Sequence, residues 1–477
     1  MKYEPLIFVQ LLVIITNCCQ SFHMKMSLLS NIFPSNSNMK KVIDKSPTLY
    51  DLDILLRSVE TINERSQYEN SVQLNNGRGL TSHKASIRLF DAPDNYIPEI
   101  TLYRDTAGWC PYCEKVWLYL EEKKIPYSII KVPMNCYGKK PDSFYKISPS
   151  GGIPIAIVKG KILSESNDII NYIEKEYSNE KNKLRPDNIS SESIKNLLKL
   201  ERKLFSCWFS WLTSKYDSEN EMHEIFQEVD NELLSNGGPY FLGNKLSIVD
   251  IMYTPFLERM AASLPYYKGF ECRSNKYPNL LKWYEAMDTR DSYIGIKSDY
   301  YTHVHDLPPQ IGNCYYNVAK STPYKEQING GMWNINVKVD DCLEPMIPLD
   351  TKVACRDAVR NCIGNFENIV NFAARGCGQK GFPQVSAALS DPNAISNINY
   401  KNEIDISLRF ILHTMLINEY NHNDNIEINE MLNSFNKVEL IKCLEYFRDR
   451  IGVPRDMYIH SARQLRAHLN YFIELIK

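Results

Sequence analysis

The sequence has 477 residues, of which 44% are hydrophobic and 23% charged, a composition typical of soluble globular domains rather than of disordered or membrane-embedded chains. This length predicts two or three domains with sizeable cores. The formal net charge of -2 argues against nucleic acid or anionic lipid as a partner. Thirteen cysteines lack a repeating spacing, so we expect mostly free thiols.

The N-terminal segment has the features of a targeting leader. Residues 6–15 form an apolar run, too short to span a bilayer, and Lys2 precedes it. Residues 23–46 are rich in Ser, Asn and Lys, with Asp44 as their only acid. The signal-peptide-like residues 1–22 and this transit-like stretch together resemble the leaders of apicomplexan plastid proteins. The resemblance implies that the protein is sent to an apicoplast-like plastid, and the secretory pathway and the cytoplasm are the alternative locations. For residues 6–15 the competing interpretation is an ordinary buried N-terminal helix.

The segment between the leader and the first domain carries little pattern. Residues 23–95 are predicted to be a transit-like and linker region. Residues 51–85 show neither a clear apolar period nor a strong core pattern, so we expect one helix there at most. We expect no membrane span in the mature chain.

A strand, a loop and a helix are predicted from residue 99 onward. EITLYR, residues 99–104, alternates like a strand and is followed by WCPYC and a helical run. Pro111 suits the first helical turn because it has no N–H to leave unpaired, which puts Cys110 at the helix start. Backbone N–H groups and the helix dipole favour a thiolate there. We therefore predict Cys110 as the attacking sulfur, and Cys113 as either a resolving thiol or a packed helix residue.

Four short motifs follow one another in this region. They are Cys-Pro-Tyr-Cys at 110–113, Lys-Pro at 140–141, Gly-Ile-Pro at 152–154 and Glu-Ser-Asn-Asp at 165–168. Their order resembles the N-terminal domain of cysteine-type glutathione transferases of the omega, lambda and dehydroascorbate reductase classes, and the pattern is similar in particular to the iota-like class of cyanobacteria, algae and plants. The resemblance implies a thioredoxin-like α/β domain at residues 96–180.

The same resemblance implies a glutathione site. Pro154 is the expected cis proline, and the main chain of Ile153 would bond the cysteinyl unit. Glu165 would face the γ-glutamyl ammonium, and Ser166 with the free helix N–H groups would hold the carboxylate. Lys140 would reach the glycine carboxylate, a role that suits a long cationic side chain.

Residues 190–300 are predicted to form an all-α domain, which the resemblance implies is the C-terminal domain of a glutathione transferase. Apolar residues recur there at helical spacing, and Ser247 with Asp250 forms a capping pattern before an apolar run. An open cleft for a second substrate is expected between the two domains. Aromatic residues at helical spacing can line a pocket or fill a core, and both interpretations stay open here. The candidate wall residues are Trp109, Trp208, Phe209, Trp211 and Tyr216.

Residues 301–477 are predicted to be a helical C-terminal extension of unknown role. Pro308-Pro309 is expected to end the transferase core. Helices are predicted within residues 353–375, 404–420 and 438–451, with a turn and an amphipathic helix near the end. Arg455, Arg463 and Arg466 are expected on a solvated helix face rather than in a basic patch.

Two sequence features contain residues that can bind a metal, but neither is accompanied by a complete set of ligands. His303, His305 and Asp306 cluster in a predicted strand or loop, where hydrogen bonding is the more usual role. The Cys-x-x-Cys could be half of a zinc site, but no second ligand pair follows at finger-like spacing. We expect no metal cofactor.

The predicted function is that of a cysteine-type glutathione S-transferase acting as a thiol transferase. Cys110 would attack a glutathione mixed disulfide, become glutathionylated and be released by a second glutathione, with glutathione as co-substrate. The partner substrate would be a small-molecule or glutathionylated protein disulfide, and a homodimer is an open option. Dehydroascorbate reduction is a variant of the same chemistry. The alternatives are conjugation of electrophiles, a non-catalytic glutathione-binding scaffold, and an iron–sulfur cluster site.

Overall fold

The computed structural model describes residues 46–71, 77–177, 183–336, 343–345, 350–417 and 432–477. The predicted signal segment and most of the transit-like segment lie outside these residues. The chain divides into two units, and the larger, residues 47–420 and 437–477, holds all the elements named below. Within the described ranges, no helix combines the length and apolarity needed to cross a membrane.

Two helices precede the sheet, where the sequence suggests one at most. They are α1, Leu49–Val59, and α2, Ile62–Ser71. A capping box starts α1, in which the Asp51 N–H donates to Thr48 Oγ1 at 3.1 Å and the Thr48 N–H donates to Asp51 Oδ2 at 2.8 Å. Only Leu52 and Leu56 of α1 are buried, so its apolar stripe is too sparse to stand out as a period.

The first domain is built on a five-stranded mixed sheet with strand order β1-β3-β2-β4-β5. Strands β2 and β3 are parallel, with Leu102 opposite Ile129, and the other pairs are antiparallel. The strands are β1 (Ile87–Arg88), β2 (Ile100–Asp105), β3 (Tyr127–Val132), β4 (Ile155–Val158) and β5 (Lys161–Ser164). The sheet therefore begins before residue 96, the predicted start of the domain.

Three helices complete this domain: α3 (Pro111–Lys123), α4 (Asp142–Tyr145) and α5 (Ser166–Glu176). Helices α3 and α5 pack together, and α5 also packs on β4 and β5. A buried ion pair ties the early strand to α3, since Arg88 Nη2 lies 2.9 Å from Glu121 Oε2 and both side chains are 2% exposed. The arrangement is the thioredoxin-like α/β fold that the motifs predict.

The second domain is all helical, as predicted. Helix α8 is buried along its whole length, and its start is tied to the rest of the domain by one carboxylate. Asp250 accepts from the Ser247 N–H at 2.8 Å and from Trp283 Nε1 at 2.9 Å. The predicted capping pattern is therefore confirmed. The helices are α6 (Ser191–Thr213), α7 (Glu219–Ser235), α8 (Ile248–Lys268), α9 (Pro278–Asp288) and α10 (Asp291–Ile294).

The extension is also helical. The predicted helix at residues 353–375 is two helices, which Gly364 separates. The other predicted helices are present within one turn of their expected bounds. The elements are α11 (Tyr300–Ile311), α12 (Val318–Glu326), α13 (Thr351–Ile363), α14 (Phe366–Ala373), α15 (Lys401–Ile417), α16 (Lys437–Arg448) and α17 (Ile459–Ile476).

The Pro-Pro pair does not interrupt the helix in which it lies. Pro308 and Pro309 lie inside α11, a helix that begins at the boundary placed at residue 301 and packs on α8. Pro308 has no N–H to donate to the Val304 carbonyl four residues earlier. The Tyr267 hydroxyl donates to that carbonyl instead, at 2.6 Å. The helix continues across the prolines, and α8 supplies a donor for one of the two carbonyls that they cannot reach.

Candidate active site

Cys110 occupies the helix start that the sequence predicts. It is the N-cap of α3, with φ -75° and ψ 116°, and Pro111 is the first helical residue. The Cys113 N–H points at Cys110 Sγ at 3.5 Å, so a backbone donor faces the sulfur. Burial, followed by the hydrogen bond to Cys110, raises the pKa of Cys113 well above its usual value. Cys113 is therefore held as a thiol, and Cys110 is the nucleophile candidate of the pair.

Access to Cys110 is narrower than the sequence suggests. The residue is only 6% exposed, whereas an accessible sulfur beside an open cleft is expected. Its surroundings are nevertheless charged, because Lys140, Arg259 and Asp306 all interact electrostatically with it. The sulfur lies among ionisable groups and is not sealed in purely apolar packing.

Two further loops carry the residues predicted for the glutathione cradle. The Ile153–Pro154 peptide bond is cis, as expected, and β4 begins directly after it. Glu165 is exposed and has φ 65°, a left-handed conformation that is unusual for a residue other than glycine. Ser166, 6% exposed, is the first residue of α5. Such backbone outliers concentrate at binding and catalytic sites, and this one opens a helix whose first N–H groups suit an anion.

Lys140 is buried and interacts electrostatically with the thiols of this region. It is 2% exposed, and its Nζ donates to Asn135 Oδ1 at 2.5 Å. Burial lowers the pKa of Lys140, while the nearby Cys136, Cys110 and Cys113 oppose that shift. The ammonium is thus positioned to stabilise negative charge on sulfur. Its contact with a glycine carboxylate stays a prediction.

Trp109, the residue before the nucleophile, is fixed by three parts of the chain. Its backbone N–H donates to Asp105 Oδ2 at 2.6 Å, from the end of β2. Its carbonyl accepts from Arg259 Nη2 of α8 at 2.7 Å. Its indole Nε1 donates to the carbonyl of Val453 in the extension, at 2.9 Å. The loop that presents Cys110 is therefore held by the sheet, the helical domain and the extension together.

Arg259 connects α8 to the helix of the nucleophile. Its Nη1 donates to Glu114 Oε2 at 2.8 Å, and both side chains are 2% exposed. Burial and the neighbouring Glu258 raise the pKa of Glu114 above its ordinary value, against the opposing effect of Arg259. Glu258 in turn bonds His303 of α11. A chain of buried polar groups thus runs from α11 through α8 to α3.

The extension packs directly on the Trp109 loop. The guanidinium of Arg455 lies 5.1 Å from the Trp109 ring, within cation–π range. A Cβ on Gly452 would lie 2.6 Å from Trp109 Cζ2, so only glycine permits this approach. Arg466 is 2% exposed and bonds Asp299 as well as the Ile451 carbonyl. The expectation of a solvated face is wrong for Arg455 and Arg466, since both are used in packing.

The predicted aromatic pocket is not assembled from its candidate residues. Trp208 is 2% exposed, and its Nε1 donates to Ser263 Oγ at 2.9 Å. Trp211 is equally buried and meets Phe270 edge to face. Tyr216, in contrast, is 84% exposed. The tryptophans serve the core, as aromatic residues at helical spacing usually do.

The histidine cluster makes hydrogen bonds within the fold. His303 and His305 lie in α11 rather than in a strand or loop, and bond Glu258 and Asn329 respectively. Asp306 bonds Gln310, while burial and Asp105 raise the pKa of Asp306 well above its usual range. In the part of the chain that the structure describes, no group of three or more His, Cys, Asp or Glu side chains is arranged to hold a metal ion.

Sequence reasoning missed three residues of this site. Asp105 ends β2 and follows the motif strand directly, so its place beside the loop could have been inferred from the strand–loop order. Arg259 and Val453 carry no local signal, because they reach Trp109 from 150 and 344 positions away. Only the folded chain brings them together.

Comparison with known proteins agrees with this architecture. Residues 109–176 match the glutathione S-transferase N-terminal domain, and residues 217–286 match the glutathione S-transferase C-terminal domain. The chain is 31% identical over 197 residues to the rice (Oryza sativa subsp. japonica) protein "Probable glutathione S-transferase DHAR1, cytosolic", a match that covers 41% of this chain and 86% of that one. It is 31% identical over 214 residues to "Glutathione S-transferase L3" of Arabidopsis thaliana, covering 44% and 86% of the two chains.

Solved structures match over the same extent. The crystal structure of Chlamydomonas reinhardtii dehydroascorbate reductase is 21% identical, with a TM-score of 0.35, and the match covers 42% of this chain and 92% of that one. From the sequence matches, the chain belongs to the glutathione S-transferase family, enzymes that use glutathione as a substrate. These matches span less than half of the chain, so its remaining length has no counterpart in them.

Proposed function

We propose that this protein is a glutathione-dependent thiol transferase that reduces glutathione mixed disulfides through Cys110. The Cys110 thiolate attacks the glutathione sulfur of the mixed disulfide, and the other thiolate leaves and takes a proton from solvent. A second glutathione thiolate then attacks the Cys110 adduct, which releases Cys110 and glutathione disulfide. The observation that carries the proposal is Cys110 Sγ at the N-cap of α3, faced by the Cys113 N–H at 3.5 Å.

The environment of Cys113 favours a cycle that uses one protein thiol. Cys113 is 1% exposed, and burial raises the pKa of its thiol well above the usual value. A thiol of that kind attacks slowly, because the thiolate is the nucleophile. Free glutathione is therefore the expected resolving thiol. The proposal therefore treats Cys113 as a packed helix residue, the second of the two interpretations that the sequence leaves open.

Thiol exchange is favoured over conjugation by the identity of the nucleophile. An enzyme that conjugates glutathione needs a group that activates the bound thiol without capturing it, whereas a cysteine at this position forms a covalent disulfide. The conjugation alternative predicts turnover of chlorodinitrobenzene that survives Cys110→Ala. The scaffold alternative predicts that no glutathione adduct forms on Cys110, which intact-protein mass spectrometry after glutathione disulfide treatment measures.

The test compares two serine variants of neighbouring cysteines in the hydroxyethyl disulfide assay with glutathione. Cys110→Ser should lower turnover by roughly 1000-fold or more, because a hydroxyl cannot form the mixed disulfide. Cys113→Ser is the matched control and should stay within about threefold of wild type, because its thiol is not used. Retained turnover in Cys110→Ser would refute the proposal. Equal loss in both variants would instead indicate a dithiol cycle.

Dehydroascorbate is a second candidate substrate. The rice relative carries the name DHAR1, an abbreviation of dehydroascorbate reductase. The same sulfur can serve this reaction: Cys110 adds to the substrate, and glutathione displaces the product to leave Cys110 glutathionylated. Turnover with dehydroascorbate and with a glutathionylated peptide, measured side by side, separates the two substrates. Both activities should disappear in Cys110→Ser.

A further inference from the structure

Two thiols of the extension lie in direct contact, far along the chain from Cys110. Cys377 ends a short 3-10 helix, Ala374–Cys377, and Cys443 lies on α16. Their Sγ atoms are 3.1 Å apart, and both are free thiols. This is closer than two sulfur atoms that merely pack, and a covalent disulfide, about 2.05 Å long, requires only about 1 Å of further approach.

Glycines on both sides of Cys377 create this contact. A Cβ on Gly376 would lie 2.5 Å from the Lys442 carbonyl oxygen and 2.8 Å from the Cα of Cys443. A Cβ on Gly378 would lie 1.9 Å from the Ile395 carbonyl oxygen. The backbone around Cys377 therefore lies directly against α16 on one side and against the backbone at Ile395 on the other, an approach that only glycine allows.

Hydrogen bonds hold the 3-10 helix in this position. The Asn397 N–H donates to the Ala374 carbonyl at 3.0 Å, and the Asn397 side chain donates to the Cys377 carbonyl at 3.3 Å. Gln379 and Ile395 exchange two backbone hydrogen bonds just beyond it. The backbone that carries Cys377 is thus fixed by its own hydrogen bonds as well as by its close approach to α16.

We propose that Cys377 and Cys443 form a reversible disulfide, with glutathione disulfide as the oxidant. Cys377 is partly exposed and reacts first: its sulfur bonds one glutathione sulfur, and the other half leaves as reduced glutathione with the thiol proton. Cys443 is buried, and burial raises the pKa of its thiol, so it must first lose its proton and its attack is slow. The Cys443 thiolate then attacks the Cys377 sulfur and displaces the second glutathione, a step that is complete at equilibrium. Two protein thiols are oxidised and one glutathione disulfide is reduced to two glutathione molecules. The reaction is independent of Cys110.

Peptide mapping of the full-length protein tests this site. The protein is equilibrated in buffers of graded glutathione to glutathione disulfide ratio, acid-quenched, alkylated and digested. We expect peptides linked through Cys377 and Cys443 in wild type and in Cys110→Ser, and none in Cys377→Ser or Cys443→Ser. Cys355 and Cys362, thiols of α13, should stay alkylated and serve as internal controls. Because Cys110→Ser is included, failure here is distinguishable from failure of the thiol-transferase proposal.

The melting temperatures of oxidised and reduced protein provide a second test, which does not depend on a cysteine variant that folds poorly. Oxidised wild type should melt roughly 5 °C higher than reduced wild type, because the bond would close a loop between cysteines 66 positions apart. Cys377→Ser should show no redox-dependent shift. The decisive condition is glutathione disulfide without added glutathione. The inference would be overturned if both cysteines of wild type were alkylated there, or if Cys377 alone carried a lasting glutathione adduct.

Discussion

At the level of single residues, Cys110, the proposed nucleophile, and Trp109 before it are held by groups both near to them and far from them along the chain. Cys110 receives a backbone N–H from Cys113, and the residue before it is bonded to Asp105, Arg259 and Val453. Fixing a reacting group in advance removes the need to order it during reaction, which is a main source of enzymatic rate. Arg259 is notable among these because it bonds both the Trp109 carbonyl and Glu114 of α3.

Replacing Arg259 should expose this dependence. Arg259→Met leaves Glu114 buried without its partner, and we expect a loss of about 3–5 kcal/mol in the free energy of unfolding. Thiol-transferase turnover should also fall by about tenfold, because the Trp109 carbonyl loses its donor. Urea unfolding and the hydroxyethyl disulfide assay measure the two effects.

An exposed arginine provides the matched control for this substitution. Arg57 pairs with Asp53 at 2.8 Å, but their side chains are 61% and 37% exposed. Arg57→Met should therefore cost no more than about 0.5 kcal/mol. Equal effects of the two variants on stability would contradict the structural role given to Arg259.

The positions of local motifs could be predicted from the sequence, and those of distant partners could not. Cys110, the cis Pro154 and the Ser247–Asp250 cap each depend on a few neighbouring residues, and all three are found where they are expected. The partners of Trp109 come from other elements, and no local pattern marks them. The aromatic candidates failed for a related reason, because helical spacing tells that a residue faces inward but not whether a core or a cleft lies there.

Among the elements, α11 shows how tertiary contacts override a local rule. A Pro-Pro pair predicts a helix end, but the Tyr267 hydroxyl satisfies the carbonyl that Pro308 cannot reach. The helix continues, and α11 packs on α8 with the helical domain. Before the sheet the opposite happens: two helices, α1 and α2, are present where one at most is expected, and α1 carries a weak signal because it buries only Leu52 and Leu56.

The contact between the extension and the Trp109 loop gives a test at this scale. Gly452→Ala would put a Cβ 2.6 Å from Trp109 Cζ2, so the loop must shift. We expect a loss of about 1–3 kcal/mol in stability and roughly a tenfold lower kcat/KM with hydroxyethyl disulfide, since the displaced Trp109 misplaces the nucleophile. Gly364→Ala is the control, because its Cβ would have no contact shorter than 3.4 Å. Unchanged kinetics in Gly452→Ala would show that the loop tolerates the displacement.

For the whole molecule, the buried histidines of α17 couple stability to pH. Burial lowers the pKa of His460 to about 4 and that of His468 to about 4. Between pH 6.5 and 4 the unfolded chain binds protons at these positions and the folded chain does not. Protonation thus favours the unfolded state, and stability falls as pH is lowered through this window.

The double variant His460→Gln/His468→Gln isolates this effect from that of the buried carboxylates. Each histidine can account for up to about 3 kcal/mol of the loss between pH 6.5 and 4. The urea midpoint of wild type should therefore decline more steeply on acidification than that of the variant, and the two slopes should become similar below pH 4. Parallel curves across the window would show that both side chains take up protons in the folded state.

The indole hydrogen bond from Trp109 to Val453 has a practical consequence for recombinant work. A fragment trimmed to residues 109–286, which hold the two matched transferase domains, would contain the donor but not the acceptor. Leaving a buried N–H without its acceptor lowers the stability of the folded state by about 1–3 kcal/mol. Here the affected residue is Trp109, which directly precedes Cys110. Kinetics of a minimal transferase fragment would then describe a relaxed loop, and only the long chain would report the reactivity that the enzyme has when intact.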